Sequence, residues 1–198
     1  MMSVRRGRCA VVAALLTVMA LPLMLLPHVV AAQAEPETSP DTVVRRYMEA
    51  VRAGDWHSAA ALMHPEALAQ FRRMIFPAFE TDTPGRELRD QFFDGMRLPE
   101  IRQLSEGAFF ERFFRGMIAR SPELLGIMQG AEVEVVGHVR EGDDVAHVVY
   151  RMEATVSELS FTRLDVMSVK RLGTTWRLLL TGTMEGLAAA LSRPAGER

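Results

Sequence analysis

The sequence predicts an α+β domain in which helices come first and an antiparallel sheet follows. Three observations predict it. Apolar residues recur at helical spacing from Val44 to about residue 130. After Gly130 the period changes to two, with alternating runs at Glu132–Val139 and Val145–Thr155. Between those runs, Glu141-Gly142-Asp143-Asp144 supplies turn chemistry. Segregated helices and strands in that order are the α+β pattern.

The chain of 198 residues opens with a segment that is not expected to belong to the domain. Arg5, Arg6 and Arg8 form a basic region, Cys9 to Leu26 is an apolar run broken by Thr17 and Pro22, and Ala32-Gln33-Ala34 is a small-x-small site. That order predicts a secretory signal over 1–34, cut after Ala34, and hence a periplasmic or extracellular protein. An uncleaved membrane anchor is the rival reading, because the run is just long enough to span. The membrane enters only in that case. Residues 35–39 read as a linker, 40–191 as the domain and 192–198 as a tail.

Composition narrows the chemistry. The net charge is −2, and loss of the three arginines takes it to −5. Such a domain lacks the basic footprint that phosphate backbones require, so nucleic acid is not an expected partner. Cys9, in the signal, is the chain's single cysteine. Disulfides, thiolate nucleophiles and cysteine metal sites are therefore excluded from the mature domain. There is no G-x-S-x-G, P-loop, H-E-x-x-H or dinucleotide fingerprint, and no cofactor is expected.

Each helix has a start signal. Ser39-Pro40 places a hydroxyl N-cap before a first-position proline. Val44, Tyr47, Met48 and Val51 then form one stripe, Gly54 stops the helix and Asp55 caps the next. His64-Pro65 opens a third helix, which Pro77 ends. Thr83-Pro84, Leu98-Pro99 and Ser121-Pro122 resemble starts of short helices over about 80–130. The densest apolar face is Phe109-Phe110 with Phe113-Phe114.

Closing the hairpin symmetrically over Gly142-Asp143 sets a register. Val139 then faces Ala146, Gly137 faces Val148, Val135 faces Tyr150 and Val133 faces Met152, all on the core face. The other face pairs Val136 with Val149, Glu134 with Arg151, and His138 with His147. Further strands are expected near Phe161–Arg171 and Thr175–Thr181, around a turn at Leu172-Gly173-Thr174. A short helix over Gly182–Leu191 closes the domain.

The stretch Val43-Val44-Arg45-Arg46-Tyr47-Met48-Glu49-Ala50-Val51-Arg52-Ala53-Gly54-Asp55-Trp56 resembles the opening of nuclear transport factor 2-like and SnoaL-like domains. The likeness continues through Ala60-Leu62, His64-Pro65 and a closing hairpin with Trp176 after Gly173. It covers about two thirds of the mature chain. The resemblance implies a curved sheet wrapped around helices as a cone-shaped barrel with an apolar cavity, and the 80–130 helices are an insertion relative to its short forms. That fold hosts isomerases, cyclases, dehydratases and non-catalytic binders, so it does not choose among them.

The cavity walls implied are Tyr47, Val51, Phe113, Phe114, Val135, Tyr150 and Met152. One reading is a non-catalytic module holding a small apolar or amphipathic ligand or a partner. Another is a SnoaL-like lyase, cyclase or isomerase, with Tyr47 as the polar group and Asp165 or Glu153 as the base. A third is a structural homodimer built through the sheet. No metal site is expected. His138 and His147, side by side in the register, are the single pair that could share an ion, and no third ligand is fixed.

Overall fold

Residues 39–156, 159–182, 184 and 186 are described by the computed structural model. The expected signal, the linker to residue 38, the tail and most of the expected terminal helix lie outside the described residues.

Helix α1 (Pro40–Ala53) begins where the cap signal puts it: the Ser39 hydroxyl accepts from the Thr42 amide at 3.2 Å. It ends at Gly54, whose φ of 68° is open to glycine. Asp55 caps α2 (Trp56–Leu62) by accepting from the Ser58 amide, and His64 caps α3 (Pro65–Ile75) through Nδ1. Pro77 does more than end α3, because it opens α4 (Pro77–Glu80). The stretch after α4 folds as α5 (Thr83–Phe92), α6 (Leu98–Gln103), α7 (Glu106–Arg120) and α8 (Pro122–Gly130). Three of these start at the expected prolines. The fourth, α7, starts at Ser105, whose hydroxyl accepts from the Ala108 amide.

The helices of 77–130 supply the aromatic part of the core. Phe71 of α3 meets Phe109, Phe110, Phe113 and Phe114 of α7 at ring distances of 5.3–6.2 Å. Phe79 and Phe93 close the cluster from α4 and the end of α5. Rings in offset and edge-on contact add to plain burial. Arg72 staples the helices together, its guanidinium donating to the carbonyls of Ile101, Arg102 and Leu104 while stacking on Phe76 and Phe109.

Strands β1 (Glu132–Glu141), β2 (Val145–Val156), β3 (Leu159–Leu172) and β4 (Thr175–Leu178) form an open, curved antiparallel sheet in that order. Its inner face packs on the helices through Ala146, Val148, Tyr150, Met167, Val169, Trp176 and Leu178. The domain is α+β, with helices against one face of the sheet.

The hairpin register departs from expectation in one half. Val133↔Met152, Glu134↔Arg151 and Val135↔Tyr150 pair as expected. Nearer the turn, Glu141 pairs with Val145, so the loop has three residues, Gly142 to Asp144, led by Gly142 at φ 67°. That extra loop residue shifts every pair by one. A bulge between Val135 and Gly137 returns the residue and restores the register beyond it. Val139 therefore faces His147, and Gly137 faces Val149.

The consequence falls on the histidines. His138 is opposite Val148 on the helix-facing side, and His147 is opposite Val139 on the outer side. They lie on opposite faces and cannot share an ion. His138 Nδ1 is instead 2.9 Å from Asp41 Oδ1 in the first turn of α1. His147 lies between Ser168 Oγ at 2.9 Å and Glu141 Oε2 at 2.8 Å.

Candidate functional site

Two places combine polar groups with apolar surroundings. The first is the inner face, where the resemblance places a cavity. Tyr47 projects from the α1 stripe and is 4% exposed; Tyr150 projects from the core face of β2 and is 7% exposed. Val51, Val135 and Met152 pack around the same apolar cluster, as do Phe113 and Phe114. The seven expected wall residues thus come together, but as packing. Phe113 is wholly buried among Phe71, Phe79, Phe92 and Phe114, and Phe114 stacks on Trp56 at 5.1 Å.

The polar content of this face is a short chain of groups. Asp165 is the cross-strand partner of Tyr150 and shares its face. Glu153 does not, since it pairs with Glu132 and Thr162 on the outer face. Of the two candidate carboxylates, Asp165 alone is placed beside a tyrosine, Tyr150. It is held by Arg163 at 2.8 Å. Burial first, and then the neighbouring Asp165 charge, push the Tyr150 phenol up to about 12 against the opposing Arg163. Burial also raises Tyr47 strongly, followed by the proximity of Tyr150.

These shifts have a definite sign. In the unfolded chain both tyrosines lose their protons near pH 10. In the folded chain they keep them, so the folded state binds more protons above pH 10 and stability falls as pH rises. Tyr47 and Tyr150 are the chain's two tyrosines. A spectrophotometric titration of folded protein should therefore show no phenolate below about pH 11. A half-point near pH 10 for either would place that ring in water.

The second place is a cleft of about 410 Å³, open to solvent, between α2, α3, the start of α7 and the β3–β4 turn. Its floor is Ala60, Met63 and Leu68, with Ala61 and Ala108 on the walls. The void follows from small side chains on two packed helices: Ala60 and Ala61 of α2 oppose Gly107 and Ala108 of α7. A Cβ added at Gly107 would lie 4.0 Å from the Ala60 Cβ. The polar rim is His57, Ser105, Glu111 and Arg177. His57 Nδ1 is 3.1 Å from Glu111 Oε2, which leaves its other nitrogen to the solvent side. Arg177 donates to the Trp176 carbonyl at 3.1 Å and has no carboxylate partner among the described residues. None of the seven expected wall residues lines this cleft. Residue-type motifs overlooked it, and the signal available was the run Ala59-Ala60-Ala61 matched by Gly107-Ala108.

Among the described residues no three of His, Cys, Asp and Glu gather closely enough to hold a metal. No protein-family model matches the chain, and no curated protein matches it either.

Proposed function

We propose that this chain is an exported, non-catalytic binding module of the nuclear transport factor 2-like type, and that it holds a small amphipathic ligand in the α2–α3–α7 cleft. The observation that carries this is the pairing of an apolar floor with an arginine that has no carboxylate partner among the described residues. The volume falls at the low end of small-molecule sites, which join mostly apolar walls to a few placed polar groups. The ligand's apolar body lies on Ala60, Met63 and Leu68. Its polar end reaches His57, Glu111 and Arg177.

Native mass spectrometry of protein purified from its own cell tests this directly. The expected result is a chain beginning at Glu35 with a copurified small molecule. Ala61 is exposed on the cleft wall, so Ala61→Trp should fill the space without disturbing the core. It should weaken retention by at least ~10-fold with unchanged thermal stability. Retention unaffected by that substitution removes the cleft as the site.

A second reading rests on Tyr47, Tyr150 and Asp165. Here the chain is a SnoaL-like lyase, cyclase or isomerase, with Tyr47 as the polar group and Asp165 as the carboxylate. Its signature is a copurified ligand whose chemical identity changes on incubation with the wild type and not with Asp165→Asn. A ligand that stays intact with both proteins leaves binding alone.

A further inference from the structure

Given the α2–α3–α7 cleft as a ligand site, its own charges select what the ligand carries. Glu111 is the carboxylate of the lining, and it is already engaged. Its Oε1 accepts from Arg115 at 2.5 Å, and its Oε2 lies 3.1 Å from His57 Nδ1. Arg177 is the cation of the lining, and its position is the reverse. It donates from Nη1 to the Trp176 carbonyl and to no carboxylate among the described residues. A guanidinium presents its N–H groups as a planar fork, so most of them remain for a ligand.

Ser105 adds a donor to the same rim. Its Oγ accepts from the Ala108 amide at 3.2 Å, which leaves the hydroxyl proton to give. The cleft therefore offers one uncompensated positive charge and a hydroxyl, beside an acidic group that is already matched.

That balance separates the classes of amphiphile. A cationic head meets Arg177 and finds Glu111 taken by Arg115. A neutral head leaves the guanidinium unanswered. A phosphate monoester carries nearly two charges at pH 7, so its second charge falls beside Glu111. A carboxylate brings one charge on two coplanar oxygens, which is the shape the guanidinium fork receives.

The apolar lining sets the body of the ligand. Ala60, Met63 and Leu68 are buried and offer no strong hydrogen bond, so a hydroxyl or amide laid on them would be left unpaired. Leu172, at the end of β3, is 43% exposed and continues the apolar lining onto the β3–β4 turn. The cleft holds about 410 Å³. At ~30 Å³ for each water-sized group, that is room for about 14 non-hydrogen atoms, or a saturated chain of about 12 carbons with its carboxylate.

We propose that the cleft takes a medium-chain fatty acid, with its carboxylate on Arg177 and Ser105 and its chain on Ala60, Met63, Leu68 and Leu172. This rests on the cleft being the ligand site, and it adds the sign of the head and the length of the tail.

Isothermal titration calorimetry of the full chain, stripped of any copurified molecule, tests this with decanoate, decanol, decyl phosphate and decyltrimethylammonium. Decanoate should bind about 10–100-fold more tightly than decanol, the worth of a hydrogen bond to a charged group. Decyl phosphate should bind no tighter than decanoate, and the ammonium should bind more weakly than decanol. Among the acids, affinity should rise about 10-fold from octanoate to decanoate and level off beyond about 12 carbons. Arg177→Gln should bring decanoate down to within ~3-fold of decanol, a comparison of two ligands on one protein that a loss of stability does not mimic. Ala61→Trp should weaken every member of the series. Equal binding of acid and alcohol, or a preference for the ammonium, overturns the proposal, and if Ala61→Trp still weakens both, the cleft stands as the site. An acid preference that survives Ala61→Trp places the anion elsewhere and overturns proposal and cleft together. A protein that binds none of these amphiphiles overturns the fatty-acid assignment, while the molecule copurified from the cell tests the cleft by itself.

Discussion

Replacing Phe113 with alanine will destabilise the protein by about 3–5 kcal/mol, the cost of emptying a packed aromatic site. Phe113 is fully buried. Its ring stacks on Phe92 at 4.9 Å, and it meets Phe71, Phe79 and Phe114 at 5.4, 6.4 and 5.5 Å. These neighbours come from three other elements as well as α7 itself, so they cannot all collapse into the vacated space. At the wall of a pre-existing cavity the same change would cost much less, because no new void forms. Urea unfolding measures the difference, and for a domain of this size the midpoint temperature should fall by on the order of 10 °C. A loss under about 1 kcal/mol would show that Phe113 borders a space already empty. The interior would then be a ligand chamber, and the helices of 83–130 a lid rather than a core.

Local chemistry was legible in the sequence where one residue dictates one backbone event. Ser39-Pro40, Gly54-Asp55 and His64-Pro65 each name a cap, and each cap forms at those residues. The phenylalanines of 109–114 announce a buried face by their spacing alone. The hairpin shows where such reading stops. Turn composition at 141–144 fits a two-residue or a three-residue loop equally well, and period-two alternation continues unbroken through a bulge. Val135 and Val136 are both valine, so nothing in the pattern marks where a residue is dropped from the ladder. One extra loop residue was enough to send His138 to Asp41 and leave His147 with Ser168 and Glu141.

The clefts were harder to foresee than the core, for a physical reason. A core is made by large apolar side chains, which the sequence displays. A cleft is made by small ones that happen to face each other across packed helices, and alanine at 60 or glycine at 107 carries no chemistry of its own. The rim residues are equally mute alone. Glu111 reads as half of an i, i+4 pair with Arg115, and that pair does form. Its second partner, His57, is 54 residues away and is supplied by the packing of α2 on α7. Cross-strand like-charge pairs lie between these extremes. They follow from register, and on β1–β2 the half beyond the bulge, which the alternation predicts, holds Glu132 opposite Glu153.

Gly116→Ala and Gly126→Ala should shift stability in opposite directions, although both replace a helical glycine with the best helix former. Propensity alone favours each by up to about 1 kcal/mol. At Gly126 on α8 nothing lies within 4 Å of an added Cβ and the position is exposed, so the gain stands unopposed. Gly116 lies on α7 where that helix crosses the end of α5. An added Cβ there would sit 2.7 Å from the Phe92 Cα and closer still to its carbonyl oxygen. These are backbone atoms and cannot rotate aside, so α5 must retreat from α7. That retreat would pull the Phe92 ring off Phe113 one turn away and open the aromatic cluster. Overpacking of this kind costs about 1–3 kcal/mol and often more where backbone must move. The clash therefore outweighs the propensity gain. The expected results are a loss of about 2 kcal/mol or more for Gly116→Ala and a gain of about 0.5–1 kcal/mol for Gly126→Ala, read by urea unfolding of both variants beside the wild type. A Gly116→Ala protein as stable as the wild type would mean that α5 is free to slide over α7. The close crossing would then not be what holds α5 against the aromatic core.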